Sequence, residues 1–264
     1  MKVKKMLSTI FTYLIIAYLA LILSAYFFSD KLMFPAPYAH YQDTSQIIKL
    51  KTRDDVLISA IYLPQKDAKY TILFSHGNAE DLGTKLPFLK DLQAHGFAVF
   101  AYDYHGYGTS KSKPSEQNTY NDIDAAYDYL ITTLKLPPQK IIAYGYSIGS
   151  GPTIDLAIRK PVAGVILEAP FTSAFRVMTH YKILFFDKFD NLKKIVKLKA
   201  PLLIMHGTKD RTVPFWHGVT LYQAAPPNKQ HLWIENAGHT NILGVAGNVY
   251  WQTINDFVVK LKKF

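Results

Sequence analysis

Apolar residues are spread along this chain in two contrasting ways. The first is one unbroken block, since no charged residue occurs from Met6 to Ser29 and most side chains there are apolar. At 1.5 Å per residue, a helix over Leu7 to Phe28 would be roughly 33 Å long, enough to cross the hydrocarbon core of a bilayer. Its polar residues, Ser8, Thr9, Thr12 and Ser24, do not make the polar face that a soluble core helix needs. Two readings remain, a retained anchor or a secretory signal cleaved after Leu23-Ser24-Ala25. The run is longer than the usual signal core of about 7–15 residues, and Leu23 is a poor small residue for cleavage. Residues 1–30 are therefore expected to be an N-terminal transmembrane anchor or uncleaved signal.

The second pattern begins at Ile47, where short strand-like runs alternate with helical segments. Ile47 to Leu50 and Val56 to Tyr62 flank the polar Thr52-Arg53-Asp54-Asp55, which suits a hairpin. Further strands are predicted at Tyr70 to Phe74, Ala98 to Tyr102, Lys140 to Tyr144, Val162 to Leu167, Leu202 to Met205 and Gln230 to Ile234. Helices are predicted at Leu86 to Ala94, Tyr120 to Leu134, Ser150 to Arg159, Phe215 to Ala224 and Val249 to Lys262, with Thr119 and Asp122 as a capping pair for the second. Apolar strands alternating with helices imply an α/β domain whose mostly parallel, eight-stranded sheet is covered on both faces. Residues 31–264 suffice for one such domain. Catalytic groups should leave the carboxyl ends of the strands.

Charge adds an orientation. Lys2, Lys4 and Lys5 precede the apolar block, whereas Asp30 and Lys31 cancel after it. By the positive-inside rule the anchor is N-in, with the remaining domain extracytoplasmic. The chain carries a formal net charge of +10, part of it in Lys182, Lys188, Lys193, Lys194, Lys197 and Lys199, with more at Lys260, Lys262 and Lys263. Such a patch would meet anionic headgroups or remain a solvated surface, and no nucleic-acid module accompanies it. With no cysteine there is no disulfide, thiol nucleophile, Cys-ligated zinc or cysteine-linked lipid.

The candidate chemistry starts at Gly145-Tyr146-Ser147-Ile148-Gly149, directly after the apolar run Ile141 to Tyr144. Small residues two before and two after a serine allow a sharp strand-to-helix turn that holds its hydroxyl clear of the sheet. Ser147 is the candidate nucleophile. A serine hydroxyl needs a base, and histidine, with an unperturbed pKa of about 6.5, can both take and return the proton. His239, in Asn236-Ala237-Gly238-His239-Thr240, is the best placed; His76 and His206 have the look of loop-ordering residues. Asp210, in the loop after the seventh strand, is the candidate acid, with Glu168 and Glu235 as rivals. The order Ser147, Asp210, His239 is that of α/β-hydrolases. Backbone N–H groups of Ile148 and of Asn78, in His76-Gly77-Asn78-Ala79, are the candidate oxyanion donors. The glycine-rich Tyr102 to Ser110 lacks the spacing and lysine of a phosphate loop. No metal or other cofactor is expected.

These motifs together resemble the α/β-hydrolase superfamily of serine hydrolases. They are similar in particular to its membrane-associated branch, which includes eukaryotic protein depalmitoylases and serine aminopeptidase-like bacterial hydrolases. The likeness runs from Ile72 to His239 through His76-Gly77-Asn78-Ala79, Asp103 to Gly108, Pro114-Ser115-Glu116, the serine turn, Ala169 to Ser173 and the Asp210 and His239 loops. It implies nucleophile, acid and base roles for Ser147, Asp210 and His239. The depalmitoylases bind membranes through an N-terminal cysteine cluster that is absent here, where the apolar block could serve instead. Between the sixth and seventh strands lies a short cap segment near residues 171–200, whose Phe171, Phe175, Tyr181, Phe185 and Phe186 suit an acyl-binding surface, core packing or membrane contact. The expectation is a membrane-anchored hydrolase of esters or thioesters acting on small-molecule or acylated substrates. A peptidase or amidase of the same fold, or a noncatalytic membrane-tethered scaffold, is the alternative.

Overall fold

The computed structural model describes residues 2–261. Lys262, the last residue of the final predicted helix, and Lys263 of the basic set lie outside the described residues. The apolar block forms one continuous helix, α1 (Lys2–Met33), in which Ser29 is the one buried residue. Among the described residues it is the one helix long and apolar enough to cross a membrane, and its most apolar stretch packs against nothing that buries it. Its carboxyl end is docked: Phe34 is buried among the core side chains, and Asp30 pairs with Lys188 at 3.1 Å.

β1 (Ile47–Lys51) and β2 (Leu57–Leu63) form the expected antiparallel hairpin. Its turn closes with Asp55 in the left-handed region at φ 63°. β3 (Thr71–Ser75), β4 (Ala98–Tyr102), β5 (Ile141–Tyr146), β6 (Gly164–Glu168), β7 (Leu202–Gly207) and β8 (Lys229–Ile234) complete the sheet. The strand order is β1-β2-β4-β3-β5-β6-β7-β8, parallel from β4 to β8. Strands β3 to β7 are buried along their whole length. Helices cover both of their faces, which explains why they read as continuous apolar runs instead of alternating ones. Neighbouring residues still point to opposite faces. Phe74 and Tyr144 pack with Leu89, Tyr250 and Phe257 on one side, while Leu73 and Ala143 pack with Ile123, Leu130 and Leu156 on the other.

The helices are α2 (Leu82–Ala94), α3 (Glu116–Thr132), α4 (Ser150–Arg159), α5 (Ala174–Met178), α6 (Asn191–Ile195), α7 (Trp216–Ala224), α8 (Ile242–Ala246) and α9 (Asn248–Leu261). Two, α2 and α3, start a full turn earlier than the pattern predicts. Asp81 caps α2 and Thr84 completes a capping box, so the helix begins at Leu82 and carries Pro87 inside it. Ser115 caps α3 by accepting from the Asn118 N–H at 3.1 Å. Thr119 and Asp122 are therefore interior residues and form no cap. Asp122 is buried, where it accepts from the His105 N–H at 3.0 Å and contacts the His105 ring at 2.5 Å. Burial pushes Asp122 up to about 6, against the opposing pull of His105.

The stretch from 171 to 200 holds only the short α5 and α6. Its aromatics divide: Phe171 is in the core, while Tyr181 and Phe185 are exposed. The basic patch is partly neutralised, since Lys188, Lys193 and Lys194 pair with Asp30, Asp190 and Asp155. Lys182, Lys197 and Lys199 make no ion pair among the described residues.

Candidate active site

β5 ends at Tyr146 and the chain turns at once through Ser147 to Gly149 into α4. Ser147 sits at φ 52°, a left-handed conformation that costs a non-glycine residue about 1–3 kcal/mol. The turn is possible because its flanking glycines carry no Cβ. At Gly145 a Cβ would lie 2.5 Å from the Gly149 carbonyl, and at Gly149 it would lie 2.8 Å from the His76 carbonyl and closer still to that of Ser75. The turn places Ser147 directly past the carboxyl end of β5.

The loops after β7 and β8 bring the other two residues to that edge. They are fastened to each other by the Thr208 N–H on the Ile234 carbonyl at 3.0 Å and the Lys209 N–H on the Ala237 carbonyl at 2.9 Å. His239 Nε2 lies 3.0 Å from Ser147 Oγ, and His239 Nδ1 lies 2.7 Å from Asp210 Oδ2. A carboxylate can only accept, so Nδ1 carries the proton and Nε2 presents its lone pair to the serine. The Tyr146 hydroxyl steadies the loop from below by donating to the His239 carbonyl at 3.1 Å.

Asp210 is buried and its remaining capacity is filled, Oδ1 accepting the N–H groups of Thr212 and Val213 at 2.8 Å each. Burial alone would raise its pKa. The hydrogen bonds from His206, His239 and Val213 outweigh that and hold the carboxyl well below the usual range. The rival acids are elsewhere. Glu168 is buried and accepts from the Tyr144 hydroxyl and from Tyr250 at 2.7 Å, with its pKa raised by burial. Glu235 is exposed.

Of the expected oxyanion donors, Ile148 directly follows the serine. In the loop between β3 and α2, the Gly77 N–H is occupied by Glu80 at 2.8 Å and the Ala79 N–H by the Asn78 side chain at 3.1 Å. The Asn78 N–H between them has no partner among the described residues. His76 lies against Tyr104 and Tyr107, and His206 Nε2 lies 3.3 Å from Asp210 Oδ2. Unforeseen in the sequence were Met33, Tyr41 and Tyr107, which brace the same rim. No local pattern marks Met33 or Tyr41, because each meets a partner distant in the chain, and Tyr107 falls within the Asp103 to Gly108 motif without its contact to Asn78 being visible there.

A family model described as serine aminopeptidase, S33, matches residues 66–193. Alpha/beta hydrolase domain-containing protein 17B of Xenopus tropicalis is 46% identical over 179 residues, covering 67% of this chain and 62% of that protein. The human protein 17C is 46% identical over 178 residues, covering 66% of this chain and 54% of its own length. The chain thus spans between about half and two thirds of these relatives. An esterase of Pyrococcus furiosus superposes with a TM-score of 0.71 at 18% identity, covering 87% of this chain and 98% of that one. An alpha-beta hydrolase of Vibrio vulnificus gives 0.65 at 22% identity, with 80% of each chain covered. At such low identities the two structures speak for the fold.

Proposed function

The chain is a member of the α/β-hydrolase superfamily, and from that premise we propose that it is a membrane-anchored serine hydrolase of carboxylic esters or thioesters. The observation that carries this reading is the continuous contact from Asp210 through His239 to Ser147, at 2.7 and 3.0 Å.

In this mechanism His239 Nε2 takes the Ser147 proton as Oγ attacks the acyl carbon. Asp210 holds the ring in the required tautomer and balances the charge it gains. The tetrahedral oxyanion is held by the N–H groups of Ile148 and Asn78, each such donor being worth about 3 kcal/mol in the transition state. His239 returns the proton to the leaving alcohol or thiol, leaving an acyl-enzyme on Ser147. Water, activated by the same imidazole, then attacks the acyl-enzyme and releases the acid.

Acyl substrates suit a site beside a bilayer, and the resemblance to depalmitoylases extends the reading to thioesters. The match to a serine aminopeptidase family model favours amide cleavage as the second reading. Matched p-nitrophenyl esters and anilides separate the two. Fluorophosphonate labelling of wild type and of Ser147→Ala tests the nucleophile: absence of label on wild type, or equal label on both, rejects it. The helix Lys2–Met33 acts as an N-in anchor with residues 31–264 extracytoplasmic as the catalytic domain, 171–200 being its short cap. Protease added to intact spheroplasts should digest that domain, and its protection would reverse the topology.

A further inference from the structure

The stretch that leaves α1 crosses the loop between β3 and α2 and is tied to that rim at three points. The Met33 carbonyl accepts from Asn78 Nδ2 at 2.6 Å, the His40 N–H donates to Asp81 Oδ2 at 2.7 Å, and the Tyr41 hydroxyl donates to Asp103 Oδ2 at 2.5 Å. The other Asp103 oxygen accepts the Leu82 N–H at 2.9 Å, which extends the tie into the first turn of α2. The fit is close, for a Cβ on Gly83 would lie 2.8 Å from the His40 carbonyl.

Asn78 is the joint of this strap. Met33 is the last residue of α1, and a carbonyl in a helix's final turn has no partner within the helix and sits at the negative end of its dipole. An amide NH₂ suits it. The Asn78 Oδ1 accepts from the Tyr107 hydroxyl at 2.7 Å and from the Ala79 N–H at 3.1 Å. The side chain is thereby fixed from both ends, while its own main-chain N–H has no partner among the described residues.

We propose that the Asn78 side chain is a positioning residue that couples the seating of the N-terminal helix, through the Met33 carbonyl, to the aim of the oxyanion-binding N–H. The inference rests on the reading of Ser147 as nucleophile and of the Asn78 N–H as an oxyanion donor. A donor acts only when it is held about 2.7–3.1 Å from the oxyanion's position, so loosening the joint weakens the transition state more than substrate binding. The helix is then a working part of the catalytic rim as well as an anchor.

The test uses the full-length chain in detergent micelles with p-nitrophenyl butyrate, kcat being referred to sites titrated with fluorophosphonate. Asn78→Leu removes all three side-chain hydrogen bonds, to Met33, Tyr107 and Ala79, without adding charge, and Tyr107→Phe removes one. The expected result is a kcat lower by about 10- to 100-fold for Asn78→Leu and by about 3- to 10-fold for Tyr107→Phe, with KM changed less than about threefold. An unchanged kcat per titrated site, or a loss confined to KM, overturns the proposal. So does an Asn78→Leu loss no larger than that of Tyr107→Phe, since Met33 would then contribute nothing. If wild type neither hydrolyses the ester nor takes the label, the parent assignment of a serine hydrolase is what fails.

Discussion

His206 Nε2 lies 3.3 Å from Asp210 Oδ2, the same oxygen that His239 Nδ1 meets at 2.7 Å. His206 is buried, and its Nε2 also faces the Val213 carbonyl at 2.9 Å, so both neighbours are acceptors and that nitrogen carries the proton. Asp210 is thus gripped from two sides. On the proposed mechanism, His206→Leu should lower kcat by about tenfold with little change in KM, because Asp210 would be less firmly placed beside His239. Steady-state kinetics on a soluble ester checks this, and an unchanged kcat would show that the backbone N–H groups of Thr212 and Val213 are sufficient.

Asp210→Asn keeps the shape of the acid but presents an NH₂ or a neutral oxygen to His239. It should cost about 10⁴-fold in kcat, through loss of the required tautomer, while the fold survives. Rates of fluorophosphonate labelling compared with thermal melting would separate the two effects.

The depressed pKa of Asp210 sets the form of the pH profile. A carboxyl held below its usual range keeps its charge as pH falls through the region where imidazoles titrate. Because the Asp210 carboxyl stays charged there, acid inactivation should follow a single proton, with log kcat/KM falling at a slope of about one. A slope of two between about pH 4 and about pH 8 would mean that acid and base protonate together.

Glu168 is a buried carboxyl whose folded pKa is raised, burial outweighing the hydroxyls of Tyr144 and Tyr250. A raised folded value favours the folded state below the unfolded pKa of about 4.3, and this contribution is lost as pH rises through the folded value. Glu168→Gln removes that dependence. The melting temperature of wild type minus that of the variant should fall between about pH 4 and about pH 8, and a constant difference would contradict the assignment.

Gly149→Ala would drive a methyl group into the backbone carbonyls of Ser75 and His76. Overpacking of this kind costs about 1–3 kcal/mol, and backbone atoms yield less readily than side chains. Chemical denaturation should give a lower midpoint. An unaltered one would show that the turn can relax.

Much of this molecule was legible in its residues because the relevant forces are local or strongly patterned. Continuous β-branched and aromatic runs marked strands buried on both faces, and the glycines around Ser147 marked a turn that side chains would obstruct. The chain order of Ser147, Asp210 and His239 belonged to that pattern, and helix α1 showed as a charge-free apolar block. The folded chain decided what depends on approach between distant segments. Helix starts moved to Leu82 and Glu116 because Asp81 and Ser115 cap them, and Asp122 became a buried partner of His105 instead of a cap. The Glu168 carboxylate receives the hydroxyls of tyrosines from β5 and α9, two elements far apart in the chain. The Met33 carbonyl meets Asn78 across 45 residues. Composition carries no trace of such a pairing, since packing of the whole domain determines which unsatisfied donor a helix end will face.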